Sequence, residues 1–226
     1  MIYQILFFSL VGIMLDIHFI SMEYKGKMLV ATILKGLASL VFVIMGIYLY
    51  SLSPSKIGGM IVAGLVLGMV GDIFLNMRNL FEGATSNKVF AVGILAFLLG
   101  HFMYIAALYM TDSNSILIAL IMTIIIAVAA IPPLMKVITA PSKGLKIFGY
   151  VYLTIVIAMF SSATALLIKS GVKSFSLVFT IGALLFMVSD FIMIYYSFGK
   201  KIKPLRAINL ITYYIGQLLI AACIIL

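Results

Sequence analysis

The sequence predicts an all-α polytopic membrane protein of eight transmembrane helices, a single transmembrane domain over 1–226, and three observations predict it. Of the 226 residues, 65% are hydrophobic and only 9% are charged, with a mean hydropathy of +1.31. A soluble domain of this size cannot cover its surface with so few polar groups, so the excess of apolar side chains calls for lipid as solvent. Apolar runs of the bilayer-crossing length, about 20 residues each, fill the chain and leave nothing over for a soluble domain. The basic residues gather in alternate short breaks between those runs, as the positive-inside rule requires.

The formal net charge of +9 does not mark a nucleic-acid binder, because there is no dense basic tract and no basic face on a soluble module. The one cysteine, Cys223, allows neither an intrachain disulfide nor paired-cysteine metal chemistry.

The spans follow in order. Span 1, 2–21, lacks the basic leader and small-residue cleavage site of a signal peptide and reads as a retained helix. Its Asp16 and His18, two residues apart, cannot share a helical face. They fall near the end of the run, where an interfacial position is expected. Span 2, 28–50, carries Lys35, whose amine can snorkel, meet an anionic headgroup or neutralise a carboxylate. Span 3, 57–77, places Gly68, Asp72 and Asn76 on one face, with Gly71 beside the aspartate to let a helix or ligand come close.

Span 4, 89–110, begins after a polar break at 82–88 and sets Gly93, Phe97, His101 and Tyr104 on one face. Span 5, 115–135, should end or kink at Pro132-Pro133. Span 6, 147–168, follows Pro141-Ser142-Lys143-Gly144. Span 7, 174–197, holds Gly182, Ser189 and Asp190; span 8, 205–226, holds Tyr213, Tyr214 and Gln217, the last two lining one face. Loops 1–2, 3–4, 5–6 and 7–8 hold eleven basic residues against three (Lys56, Lys169, Lys173) on the other side, so both termini should face away from the cytoplasm.

Residues 65–77 (LVLGMVGDIFLNM) align without gaps to 183–195 (ALLFMVSDFIMIY), bringing Asp72 onto Asp190 four spans later. That points to a parallel repeat of four helices, as some transporters have.

A charged side chain at the bilayer centre costs at least about 2.5–3.5 kcal/mol, so such residues face the bundle interior and are functional by default. Asp72 and Asp190 lead the set. If they share a site, low dielectric and like charge leave one carboxyl protonated beside an anion, which is the equipment of an acid catalyst. A purely structural polar clamp between helices is the alternative. With two histidines and no HxxxH pattern, the sequence assigns no metal ligands.

The order Lys35; Gly71-Asp72-Ile73-Phe74-Leu75; Phe97-x3-His101-x2-Tyr104; Gly182-Ala183-Leu184-Leu185-Phe186-Met187-Val188-Ser189-Asp190; Tyr214-x2-Gln217 resembles the YhhN family of lysoplasmalogenase-like membrane proteins over spans 2 to 8. One position departs: Gly36 follows Lys35 where the family pattern has proline. The resemblance implies an eight-span hydrolase that cleaves the vinyl ether of a lysoplasmalogen to a fatty aldehyde and glycerophospho-ethanolamine or -choline. It implies no cofactor, and a lysophospholipid substrate within bilayer lipid.

The chemistry suits the residues: protonating the terminal alkene carbon gives an oxocarbenium ion that water captures. Asp72 and Asp190 are then the catalytic candidates. Lys35, Asn76, His101, Tyr104, Ser189, Tyr214 and Gln217 are the candidates for binding substrate and water. A proton-coupled transporter of a small molecule or lipid and a metal-dependent intramembrane lipid hydrolase are the competing expectations.

Overall fold

The computed structural model describes residues 2–139 and 143–226, and its helices are α1 (Ile2–Tyr24), α2 (Met28–Leu52), α3 (Lys56–Met77), α4 (Gly83–Thr111), α5 (Ile116–Val137), α6 (Lys143–Ser170), α7 (Ser174–Phe198) and α8 (Lys203–Ala222). All eight are long and apolar enough to cross a membrane. Their links are short, so neighbours in sequence pack antiparallel. Glycines at positive φ make two of the turns, Gly26 (φ 73°) after α1 and Gly171 (φ 74°) after α6, a conformation that L side chains resist. The Ser55 hydroxyl caps α3 by accepting the Gly58 N–H at 2.9 Å.

Several helices outrun their apolar segments. α4 starts at Gly83 rather than 89, and α6 at Lys143 rather than 147. Hydropathy marks where lipid stops, whereas the i→i−4 ladder continues through polar residues that stand in the interface. α5 does not end at Pro132-Pro133 but runs on to Val137. Each proline withholds only its own N–H and already has a helical φ, so one more turn forms. Pro141 and Ser142, expected in the break before span 6, lie outside the described residues.

The packing has a repeated plan. Within each half, consecutive helices pack together, most extensively α3 on α4 and α7 on α8. The halves meet through α2 on α8 and α6 on α4, the same pair of positions taken twice. α1 and α5, first in each half, are the outer helices; Phe7, Leu10 and Met14 on one and Leu117, Ile121 and Val128 on the other remain exposed, as lipid-facing side chains do.

Glycines set the closest crossings. A methyl on Gly216 would lie 2.9 Å from the Gly182 carbonyl oxygen, and one on Gly100 would lie 3.1 Å from that of Gly64. Backbones approach this closely only where side chains are missing, the usual route to tight association in lipid. Gly216→Ala should therefore lower stability by about 1–3 kcal/mol in equilibrium denaturation in detergent. Gly144→Ala, with open space around it, is the matched control. Equal stabilities for the two variants would show that the α7–α8 crossing has slack.

Candidate active site

α3 and α7 each deliver one aspartate to the bundle centre. Asp72 and Asp190 are 2% and 4% exposed, and both line a cavity of about 20 Å³ with Lys35, Phe97, Ser189 and Tyr213. That volume suffices for about one water. The glycines before Asp72 admit neighbouring side chains: a methyl on Gly71 would sit 2.5 Å from the Phe97 ring, and one on Gly68 would sit 2.7 Å from the Gln217 amide nitrogen.

The two carboxylates have different company. Asp72 pairs with the Lys35 amine at 3.1 Å. Its Oδ2 accepts from the Ser39 hydroxyl at 2.5 Å and the Tyr213 hydroxyl at 2.7 Å. These groups come from α2 and α8 and give the carboxylate one cation and two hydroxyl donors. Behind them a chain of donors runs outward: Tyr104 donates to Gln217 Oε1 at 2.7 Å, and Gln217 Nε2 donates to the Tyr213 hydroxyl at 3.2 Å.

Asp190 accepts from the Tyr152 hydroxyl of α6 at 2.6 Å and lies 3.8 Å from His101 Nε2 of α4. His101 Nδ1 is 2.6 Å from the Phe97 carbonyl, which can only accept, so Nδ1 carries a hydrogen. Nε2 is buried and has no hydrogen-bond partner among the described residues. An unpaired carboxylate so deep would cost several kcal/mol. Among the described residues no lysine or arginine comes within salt-bridge reach of Asp190, whereas Asp72 has Lys35.

Aromatic rings close the cavity. Phe97, Phe186 and Tyr213 meet edge to face at 5.2–6.2 Å, and the His101 ring stands 4.7 Å from Phe186. Such ring faces can attract a cation held over them. Lys35, Leu75 and Met193 are shared with a larger polar vestibule of about 220 Å³. It lies at the C-terminal ends of α1, α3 and α7, the end that carries the basic loops, and it holds Arg78, Lys201 and Arg206. Arg206 is engaged there by Glu23 through two hydrogen bonds of 2.9 Å.

Of the residues singled out from sequence, Lys35, Asp72, Ser189 and Asp190 line the small cavity. His101 reaches it through Asp190, Tyr104 and Gln217 through Tyr213, and Tyr214 through Ser39 at 3.2 Å. Asn76 does not line the cavity: its amide donates to Thr32 at 3.0 Å and clamps α3 to α2. Asp16 is not interfacial but buried, because α2 and α8 cover its face of α1, and its Oδ1 finds no hydrogen-bond partner among the described residues. His18, on the other face, is exposed.

Ser39, Tyr152 and Asn209 were missed, and Tyr213, named among the polar residues of span 8, was not carried into the site. Ser39 lies one turn after Lys35 on the same face, a legible cue. Asn209 holds Ser189 by two 2.8 Å bonds from α8, and Tyr152 comes from a helix with no charged neighbour nearby in sequence. Among the described residues no three His, Cys, Asp or Glu side chains gather as a metal ion would need.

A family model, that of the YhhN family, matches residues 29–224, a range that includes every side chain of the cavity. No curated protein and no solved structure matches the chain.

Lys35→Met strands a buried carboxylate and should cost about 3–5 kcal/mol of stability. Adding Asp72→Asn should return most of it, because the charge that needed Lys35 is then gone. Denaturation of the two single variants and the double variant in detergent reads this coupling; additive losses would mean that the two side chains do not depend on each other.

Proposed function

The chain belongs to the YhhN family, and we propose that it is an intramembrane hydrolase of lysoplasmalogen-type vinyl ethers, with Asp190 as the acid and Asp72 as the fixed anion. The family's association with lysoplasmalogenase supports the reaction class. The observation that carries the assignment of roles is the unequal company of the two carboxyls on one water-sized cavity. Lys35 pairs with Asp72 at 3.1 Å, while Asp190 has only the Tyr152 hydroxyl as donor and faces His101 Nε2 at 3.8 Å.

In this reading Asp190 gives its proton to the alkene carbon β to the ether oxygen, and the π electrons form the new C–H bond. The positive charge moves to the adjacent carbon and ether oxygen. It develops between two carboxylates and against the Phe97 and Tyr213 rings, where fixed charges already point at it. Water held between the aspartates adds to the cationic carbon and returns a proton to Asp190. The hemiacetal then breaks its bond to the glycerol oxygen, which takes the hydroxyl proton, and aldehyde and glycerophospho-alcohol leave. His101, with its hydrogen on Nδ1, faces the carboxyl with Nε2 at 3.8 Å and sets no competing donor against it. No covalent intermediate and no cofactor enter the scheme. In this reading the vestibule end, which carries the basic loops, faces the cytoplasm, and the headgroup enters from that side.

The test is aldehyde release from 1-alkenyl-lysophosphocholine by purified protein in detergent, where a gradient-driven carrier turns over nothing. Asp190→Asn should lower kcat by about 100- to 10,000-fold, the usual worth of a general acid; near-wild-type turnover removes Asp190 from the chemistry. In deuterium oxide the aldehyde should carry one deuterium on the carbon next to the carbonyl. Its absence would rule out protonation at carbon.

A further inference from the structure

Four cations line the vestibule, and two of them are spent. Lys35 pairs with Asp72 at 3.1 Å, and Arg206 with Glu23 at 2.9 Å. Arg78 and Lys201 have no acidic partner among the described residues. Arg78 is the better placed of the two. Its guanidinium stacks 4.4 Å over the Phe90 ring and, among the described residues, makes one hydrogen bond, 3.1 Å to the Ser197 hydroxyl. A guanidinium has five N–H donors in a rigid fork, so most of them are uncommitted in a polar chamber.

We propose that Arg78, assisted by Lys201, is the subsite for the phosphodiester of a glycerophospholipid, and that Lys35 is not. The proposal rests on the hydrolase reading for its substrate and adds the recognition of the headgroup. A planar fork held over a ring is pre-organised for two oxygens of one phosphate. Lys35, by contrast, is committed to a carboxylate and only 5% exposed.

The reach also fits. Arg78 follows Asp72 by six residues, a rise of about 9 Å along the helix at 1.5 Å per residue. From phosphorus to the alkene carbon β to the ether oxygen of a 1-alkenyl lysolipid is about seven bonds, or roughly 9 Å extended at the per-bond advance of a backbone. Phosphate on Arg78 therefore sets the alkene at the level of the aspartates. The tail is then left among the apolar helices.

The experiment compares 1-alkenyl-glycerophosphocholine with 1-alkenylglycerol, which lacks the phosphate. In wild type the phospholipid should have the higher kcat/KM. In Arg78→Gln that advantage should shrink by about tenfold or more, through KM, the worth of a lost charge-assisted contact. Arg78→Lys, which keeps the charge but loses the fork, should fall between. Equal losses on both substrates would make Arg78 a structural residue and overturn the proposal.

A second readout needs no turnover. Glycerophosphocholine should raise the thermal midpoint of the wild-type protein in detergent and not that of Arg78→Gln. Inorganic phosphate protecting as strongly as the diester would assign the site to free phosphate and overturn the lipid headgroup; no protection by either overturns the subsite. If wild type turns over neither alkenyl substrate yet is protected by the diester through Arg78, the hydrolase reading fails and the subsite stands.

Discussion

The ion pair between Lys35 and Asp72 organises the interior. In a bundle surrounded by lipid, a buried charge is tolerable only with a counter-charge and donors for its lone pairs. Meeting that demand for Asp72 draws in Lys35 and Ser39 from α2 and Tyr213 from α8. Gln217 and Tyr104 extend the network to α4. One carboxylate thus ties four helices together, and the glycines of α3 leave the room that lets those side chains arrive.

Satisfying one aspartate leaves the other exposed to chemistry. Each aspartate sits on the third helix of its half. It is met by the second helix of the same half and the fourth helix of the other half: α2 and α8 around Asp72, α6 and α4 around Asp190. The backbone plan is repeated, but the side chains are not. Asp72 is met by a lysine and two hydroxyls; Asp190 is met by a tyrosine hydroxyl and, at 3.8 Å, by a histidine nitrogen. On the proposed reading, a symmetric scaffold with unequal partners gives two like groups the separate roles of acid and anion. The same economy of charge operates in the vestibule, where Glu23 engages Arg206 and leaves Arg78 available.

Much of this was legible in the chain, for identifiable reasons. A carboxylate inside a run of apolar residues stands out because its burial is so costly, and Asp72, Asp190, Lys35 and His101 were all found that way. Not every uncharged partner was. Tyr152 carries a hydroxyl that is cheap to place in a transmembrane helix, so nothing in the local sequence distinguishes a ligand of Asp190 from a lipid-facing tyrosine. Asn76 misled for the complementary reason. It shares a face with Asp72, but that face is wide enough for one residue to meet the cavity and the other to meet Thr32. Asp16 misled because its place near the end of an apolar run suggested the interface, whereas α1 continues to Tyr24 and turns that residue inward.

Composition and the spacing of apolar runs were enough for the number of helices and their alternation, because lipid imposes one length and one backbone solution on every span. They were also enough to pick out the ionisable side chains that had to be interior. Which of those side chains touch, which carboxyl has the cation and which arginine lacks an acidic partner were decided only when eight helices packed at particular rotations. Rotation about a helix axis is set by contacts between residues far apart in the chain, such as Lys35 with Asp72 and Tyr152 with Asp190, and no local pattern records them.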